Sequence, residues 1–184
     1  MTKRTLLAGL LGGVAMYLWA SLAHVVLPLG RSGISEIPNE PGLLNSMHST
    51  LGESPGLYMF PGLGAADMQQ YEQKLAANPS GLLIYHPPGA KGMTAVQLAT
   101  EFLTELLEAL LMVWLMARAR LQSFASRLGF AAVIGILASI TTNISYWNWY
   151  GFPTAYTAPY MTIEIVGFVL AGLVAARMLG RPEA

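Results

Sequence analysis

The chain has 184 residues, 10 basic against 10 acidic side chains, 54% hydrophobic residues, 11% charged residues and no cysteine. Its mean hydropathy is +0.48, whereas soluble domains carry roughly 25% charge, so an ordinary soluble domain is excluded. Zero net charge removes the basic face that a nucleic-acid binder needs, and the lack of cysteine excludes disulfides, thiolate metal sites, cysteine-held iron–sulfur clusters, c-type haem and a lipidated N-terminal cysteine.

A hydrocarbon core of roughly 30 Å takes about 20 apolar helical residues, and the pattern predicts four such spans. Between Thr5 and Gly30 no Asp, Glu, Lys or Arg occurs, so residues 1–30 are expected to hold transmembrane helix 1. Lys3-Arg4, the apolar stretch and Ser21-Leu22-Ala23 also match a cleavable signal peptide. The apolar run continues through Val25, Val26 and Leu27, which favours a retained span.

Residues 31–93 are too long for a structureless connection and predict a small α+β cap. Asn39 before Glu40-Pro41 marks a helix start, with Leu43, Leu44, Met47 and Leu51 on its apolar face. Leu57 to Phe60 predicts a strand ended by Pro61-Gly62, Ala65 to Ala77 a second helix, and Leu82 to His86 a second strand. The two strands are expected to share one small sheet. Gly62-Leu63-Gly64-Ala65-Ala66 has neither the spacing nor the setting of a phosphate loop.

The remaining spans are expected at 94–117, 128–150 and 159–178, separated by a cytoplasmic loop at 118–127 and an outer loop at 151–158, with a cytoplasmic tail at 179–184. Lys3, Arg4, Arg118, Arg120, Arg127, Arg177 and Arg181 would then lie inside, against Arg31, Lys74 and Lys91 outside. By the positive-inside bias both termini are cytoplasmic. Tyr146, Trp147, Trp149, Tyr150, Phe152, Tyr156 and Tyr160 gather at the opposite, outer interface. Gly9 and Gly13, then Ala131, Gly135 and Ser139, then Gly167, Ala171 and Ala175 form small-residue stripes that allow close helix approach. The expected fold is an all-α membrane protein, a four-helix transmembrane bundle with an α+β extracytoplasmic cap between helices 1 and 2.

Ionisable residues inside a span are costly and mark candidate sites. Gln97, Glu101, Glu105 and Glu108 step by four, four and three, which puts them on one helix face. Counting back from the inner arginines at about 1.5 Å per residue places Glu101 about 5 Å deep, Glu105 and Glu164 about 10 Å, Glu108 about 15 Å and Asn143 about 6 Å. His24 falls near the outer mouth. A polar cavity of Glu101, Glu105, Glu108, Asn143 and Glu164 is therefore expected in the outer half.

Three functions follow from this layer. The first is a non-enzymatic, accessory protein whose cavity binds a cation or small amphiphile. The second is a membrane enzyme holding a divalent metal at His24, Glu105 and Glu164, with Glu101 beside them. The third is a proton-linked transporter, which with four spans would act as an oligomer. The bland alternative has Gln97 and Glu101 on a helix end that protrudes into the cap, with only Glu105 and Glu108 embedded and bonded to Asn143, Thr142, Tyr146 or Ser139. His48 and His86 are expected to be solvated cap residues. Partners are the lipid bilayer and either membrane subunits or further copies of the chain.

Trp19 and His24 before Leu27-Pro28-Leu29-Gly30, then Gly56-Leu57-Tyr58-Met59-Phe60-Pro61-Gly62, then Asn148-Trp149-Tyr150-Gly151-Phe152-Pro153, resemble segments of uncharacterised small bacterial four-span inner-membrane proteins. The resemblance implies a bacterial inner-membrane setting and assigns no catalytic residue.

Overall fold

A computed structural model describes residues 1–64 and 67–179. The chain is mostly helical and divides into two compact units, residues 1–34 with 93–184, and residues 35–92. Arg181 and most of the expected tail lie outside the described residues, as do Ala65 and Ala66, where the second cap helix was expected to begin.

In the first unit α1 runs Lys3–Ser21, α4 Ala95–Arg118, α5 Phe124–Tyr150 and α6 Thr154–Met178. Three stretches, Lys3–Val26, Phe124–Tyr150 and Thr154–Met178, are long and apolar enough to cross a membrane. The 24-residue α4 is close to them in length but carries Glu101, Glu105 and Glu108 and is not among them.

Several boundaries differ from expectation, each for a local reason. The first helix does not reach Gly30. It widens into a π-turn at Leu22–Val26, where the Leu27 amide donates to the Leu22 carbonyl at 2.9 Å, and Leu27 is extended before the short 3-10 turn Pro28–Arg31. Proline disfavours a helical residue before it. Helix α5 starts four residues early, at Phe124, because Ser123 and Ser126 exchange side-chain and backbone hydrogen bonds as a capping box. Helix α6 starts at Thr154 and runs through Pro159, so the loop expected at 151–158 shrinks to 151–153. Gly151 sits in the left-handed region at φ 70° and ends α5.

Helix α1 packs on α4 and on α6, and α6 packs on α5, while α4 meets α5 and α6 only at scattered points. The lateral order is α4, α1, α6, α5. Small residues make these seams. A methyl group added at Gly9 would lie 2.7 Å from Leu110 Cδ2, and one at Gly13 would lie 2.6 Å from Leu106 Cα. Gly12 faces Ala171, and Gly135 faces Ile165 and Phe168. Large side chains point the other way: Leu7 and Leu11 on α1, and Val133, Ile136, Leu137, Ile140 and Ile144 on α5, are exposed. Small residues inward and large apolar residues outward is the arrangement of helices solvated by lipid.

The buried apolar cluster lies at the end holding the chain's N-terminus, built from Ala8, Met16, Met112, Val113, Met116, Ala131, Phe168, Ala171 and Ala175. Two arginines close the α6 C-terminus there. Arg127 is buried, its Nε donating to the Leu121 carbonyl at 2.9 Å and its Nη1 to the Ala176 carbonyl at 3.3 Å, and Arg4 Nε donates to the Met178 carbonyl. The bonds to Ala176 and Met178 satisfy carbonyls of the last turn of α6, at the end where the helix dipole favours cations, and the bond to Leu121 ties Arg127 to the preceding loop.

The second unit has α2 at Glu40–Leu51, β1 at Gly56–Phe60, α3 at Met68–Ala77 and β2 at Gly81–Tyr85. The strands pair antiparallel, with Leu57 opposite Ile84 and Met59 opposite Leu82. Asn39 precedes α2 in the left-handed region and makes no capping bond, whereas Asp67 caps α3 by accepting from the Gln70 amide at 2.8 Å. Among the described residues of this unit only Tyr85 is buried, and its hydroxyl donates to the Gly52 carbonyl at 2.8 Å. A unit of about 60 residues buries little apolar surface by itself.

Candidate functional site

Four elements of the first unit surround one cavity of about 110 Å³. Helix α1 supplies Met16, Trp19 and Ala20, the π-turn supplies His24, α4 supplies Glu101, Glu105 and Glu108, and α6 supplies Tyr160, Ile163, Glu164, Gly167 and Phe168. Met16, Ala20 and His24 stand four apart, so the α1 face that meets the cavity is continuous up to the π-turn. The turn is stabilised from behind, because the chain folds back so closely that a side chain at Gly30 would run into the His24 ring.

The carboxylates differ in their surroundings. Glu164 Oε2 accepts a hydrogen bond from Asn143 Nδ2 at 2.9 Å, and the same amide group donates to the Ser139 carbonyl at 2.9 Å. Asn143 thus belongs to the cavity's outer layer of partners rather than to its lining. Glu105 Oε2 is fully enclosed and has no hydrogen-bond partner. Glu101 is exposed. Trp19 spends its indole N–H on the Ile163 carbonyl at 2.9 Å, which pins α1 to α6 and leaves the ring to form wall.

A second cavity of about 440 Å³ shares Ala20, His24, Glu101 and Tyr160 with the first. Its remaining walls include Tyr17, Val25, Met93 and Leu98, with Gln97. Gln97 is not free to join the carboxylate stripe, because its Oε1 accepts from the Thr94 amide at 2.8 Å in a capping box that starts α4. The ring of His24 meets Tyr160 edge to face at 5.4 Å, and Tyr160 stacks on Tyr156 at 4.5 Å. Of the aromatic residues expected as an interfacial belt, Tyr160, Tyr156, Phe152, Tyr146 and Tyr150 form a connected ladder.

No lysine or arginine is among the residues lining either cavity. No family model, curated protein or solved structure matches this chain.

All four glutamates and His24 expected from spacing line the smaller cavity. Among the described residues, however, no three Asp, Glu or His side chains come together as a set that could hold a metal ion, which weighs against His24, Glu105 and Glu164 as joint ligands. Thr142 is exposed, and Ser139 donates to the Ile136 carbonyl of its own helix, so neither reaches the glutamates of α4. Spacing missed the walls. Tyr160 was legible only as a belt residue, and neither Trp19 nor Phe168 was singled out as wall, although the Met16, Ala20, His24 repeat could have placed Trp19 beside them.

Proposed function

We propose that this chain is a non-enzymatic, accessory protein of the bacterial inner membrane that holds a cation in its carboxylate-lined cavity. The observation that carries this is one cavity bordered by Glu101, Glu105, Glu108 and Glu164 with no lysine or arginine in its walls. Carboxylates grouped away from bulk water are tolerable only with positive charge or protons among them. The direct test is titration of purified protein in nanodiscs with methylammonium, read by the fluorescence of Trp19 in the cavity wall. Glu105→Gln and Glu164→Gln should each weaken binding at least tenfold, and equal binding by both variants would remove the proposal's basis.

In this proposal α4 is the fourth span, its glutamates turned to the cavity while Leu103, Leu107, Leu111 and Trp114 are exposed on its other sides. Both termini are cytoplasmic, supported by Lys3, Arg4, Arg118, Arg120, Arg127 and Arg177 at the ends away from the aromatic ladder. The chain has no cysteine, so labelling has no background. A cysteine at Ser80 should react with an impermeant thiol reagent in intact spheroplasts, and one at Gln122 should react only after lysis. The opposite pattern refutes the orientation. The lipid bilayer is the first partner, with further copies or other membrane subunits against the exposed faces of α4 and α5.

A further inference from the structure

The two cavities share a wall but differ in chemistry. The smaller contains Glu105, Glu108 and Glu164, while in the larger the only acid is Glu101, on the shared wall, and Tyr17, Val25, Met93 and Leu98 supply apolar surface. We propose that the cation is an organic ammonium with an apolar tail, its head among the inner glutamates and its tail in the larger cavity past His24 and Tyr160. This rests on the cation-binding function proposed above and specifies the ligand class.

Three observations support the assignment independently of the acidic residues' number. First, among the described residues no three acidic or imidazole groups gather to hold one metal ion, whereas an ammonium head directs several N–H donors to separated oxygens. Glu105 Oε2, enclosed and without a partner, is placed to accept one of them. Second, Trp19, Tyr160 and Phe168 border the inner cavity, and aromatic faces attract alkylammonium groups. Third, the sizes fit a head and a tail. A cavity of about 150 Å³ holds one benzene, so about 110 Å³ admits a head group of a few heavy atoms and about 440 Å³ admits a chain.

The experiment is a series of n-alkylammonium ions, methyl to octyl, titrated against the full chain in nanodiscs. A Glu105→Gln/Glu164→Gln double variant subtracts partitioning into the bilayer. Carboxylate-dependent affinity should tighten about fourfold per methylene until the larger cavity is filled. Leu98→Asn should flatten that series while leaving methylammonium binding unchanged, and Val25→Asn provides a second variant should the first fold poorly. Methylammonium binding with no chain-length dependence overturns the tail and leaves the cation site standing. Binding of sodium or manganese but of no ammonium overturns the ligand class. Binding of no cation at all overturns both this inference and the function on which it rests.

Discussion

Replacing Gly13 with alanine should cost the folded protein about 1–3 kcal/mol, the range for forcing volume into a packed contact. The added methyl would lie 2.6 Å from Leu106 Cα and 3.0 Å from the Glu105 carbonyl oxygen. Both are backbone atoms, so no rotamer change relieves the clash and α4 must move away from α1. Gly129→Ala is the control, because nothing lies within 4 Å of that position. It should be neutral or stabilising by up to about 1 kcal/mol, as alanine is the better helix former. Thermal unfolding of the two variants beside wild type tests the seam, and equal midpoints for both would show that α4 does not rest on Gly13. Because Glu105 and Glu108 ride on α4, Gly13→Ala should also weaken methylammonium binding.

Glu105→Met should move stability and binding in opposite directions. The substitution removes the enclosed, unpartnered Oε2 and keeps a side chain of similar length, which fills space flexibly beside Met16. An unsatisfied buried polar atom costs about 1–3 kcal/mol, so the empty protein should gain stability of that order. Cation binding should be lost at the same time, the usual trade between a poised site and a relaxed fold. A variant that unfolds more easily yet binds methylammonium as before would mean that Glu105 is a structural residue.

The legible parts of the fold were those written in local pattern. Charge-free runs revealed α1 and α5, a run with the single acid Glu164 revealed α6, and steps of four and three placed Glu101, Glu105 and Glu108 on one face of α4. Turn residues placed both short strands within a residue of their observed starts. Ends were less legible where two local rules compete. Ser123 and Ser126 pull the start of α5 outward past Arg127, and Pro159 suggests a helix start although it lies inside α6. The order of helices was not legible at all, because periodicity gives a face but no neighbour. That is why Asn143 was weighed as a partner for the α4 glutamates, whereas it bonds Glu164 on the adjacent α6. The metal expected at His24, Glu105 and Glu164 had the same origin, similar depth along separate helices, which by itself does not fix whether the side chains share one coordination sphere.

The lateral order of the helices has a mechanical consequence. Helix α4 is attached along a single seam, at Gly9 and Gly13 of α1, and touches α5 and α6 only at scattered points. The α1–α6 pair, by contrast, is tied by the Trp19 bond and by the small contact at Gly12. A cylinder held along one line rolls about that line more readily than one wedged between two neighbours. Three of the four glutamates therefore sit on the most compliant wall, and Glu164 on a stiff one. In the proposed four-span arrangement, changes in bilayer thickness or lateral pressure, which helices accommodate by tilting, act first on α4 and so on the width of the gap between these carboxylates.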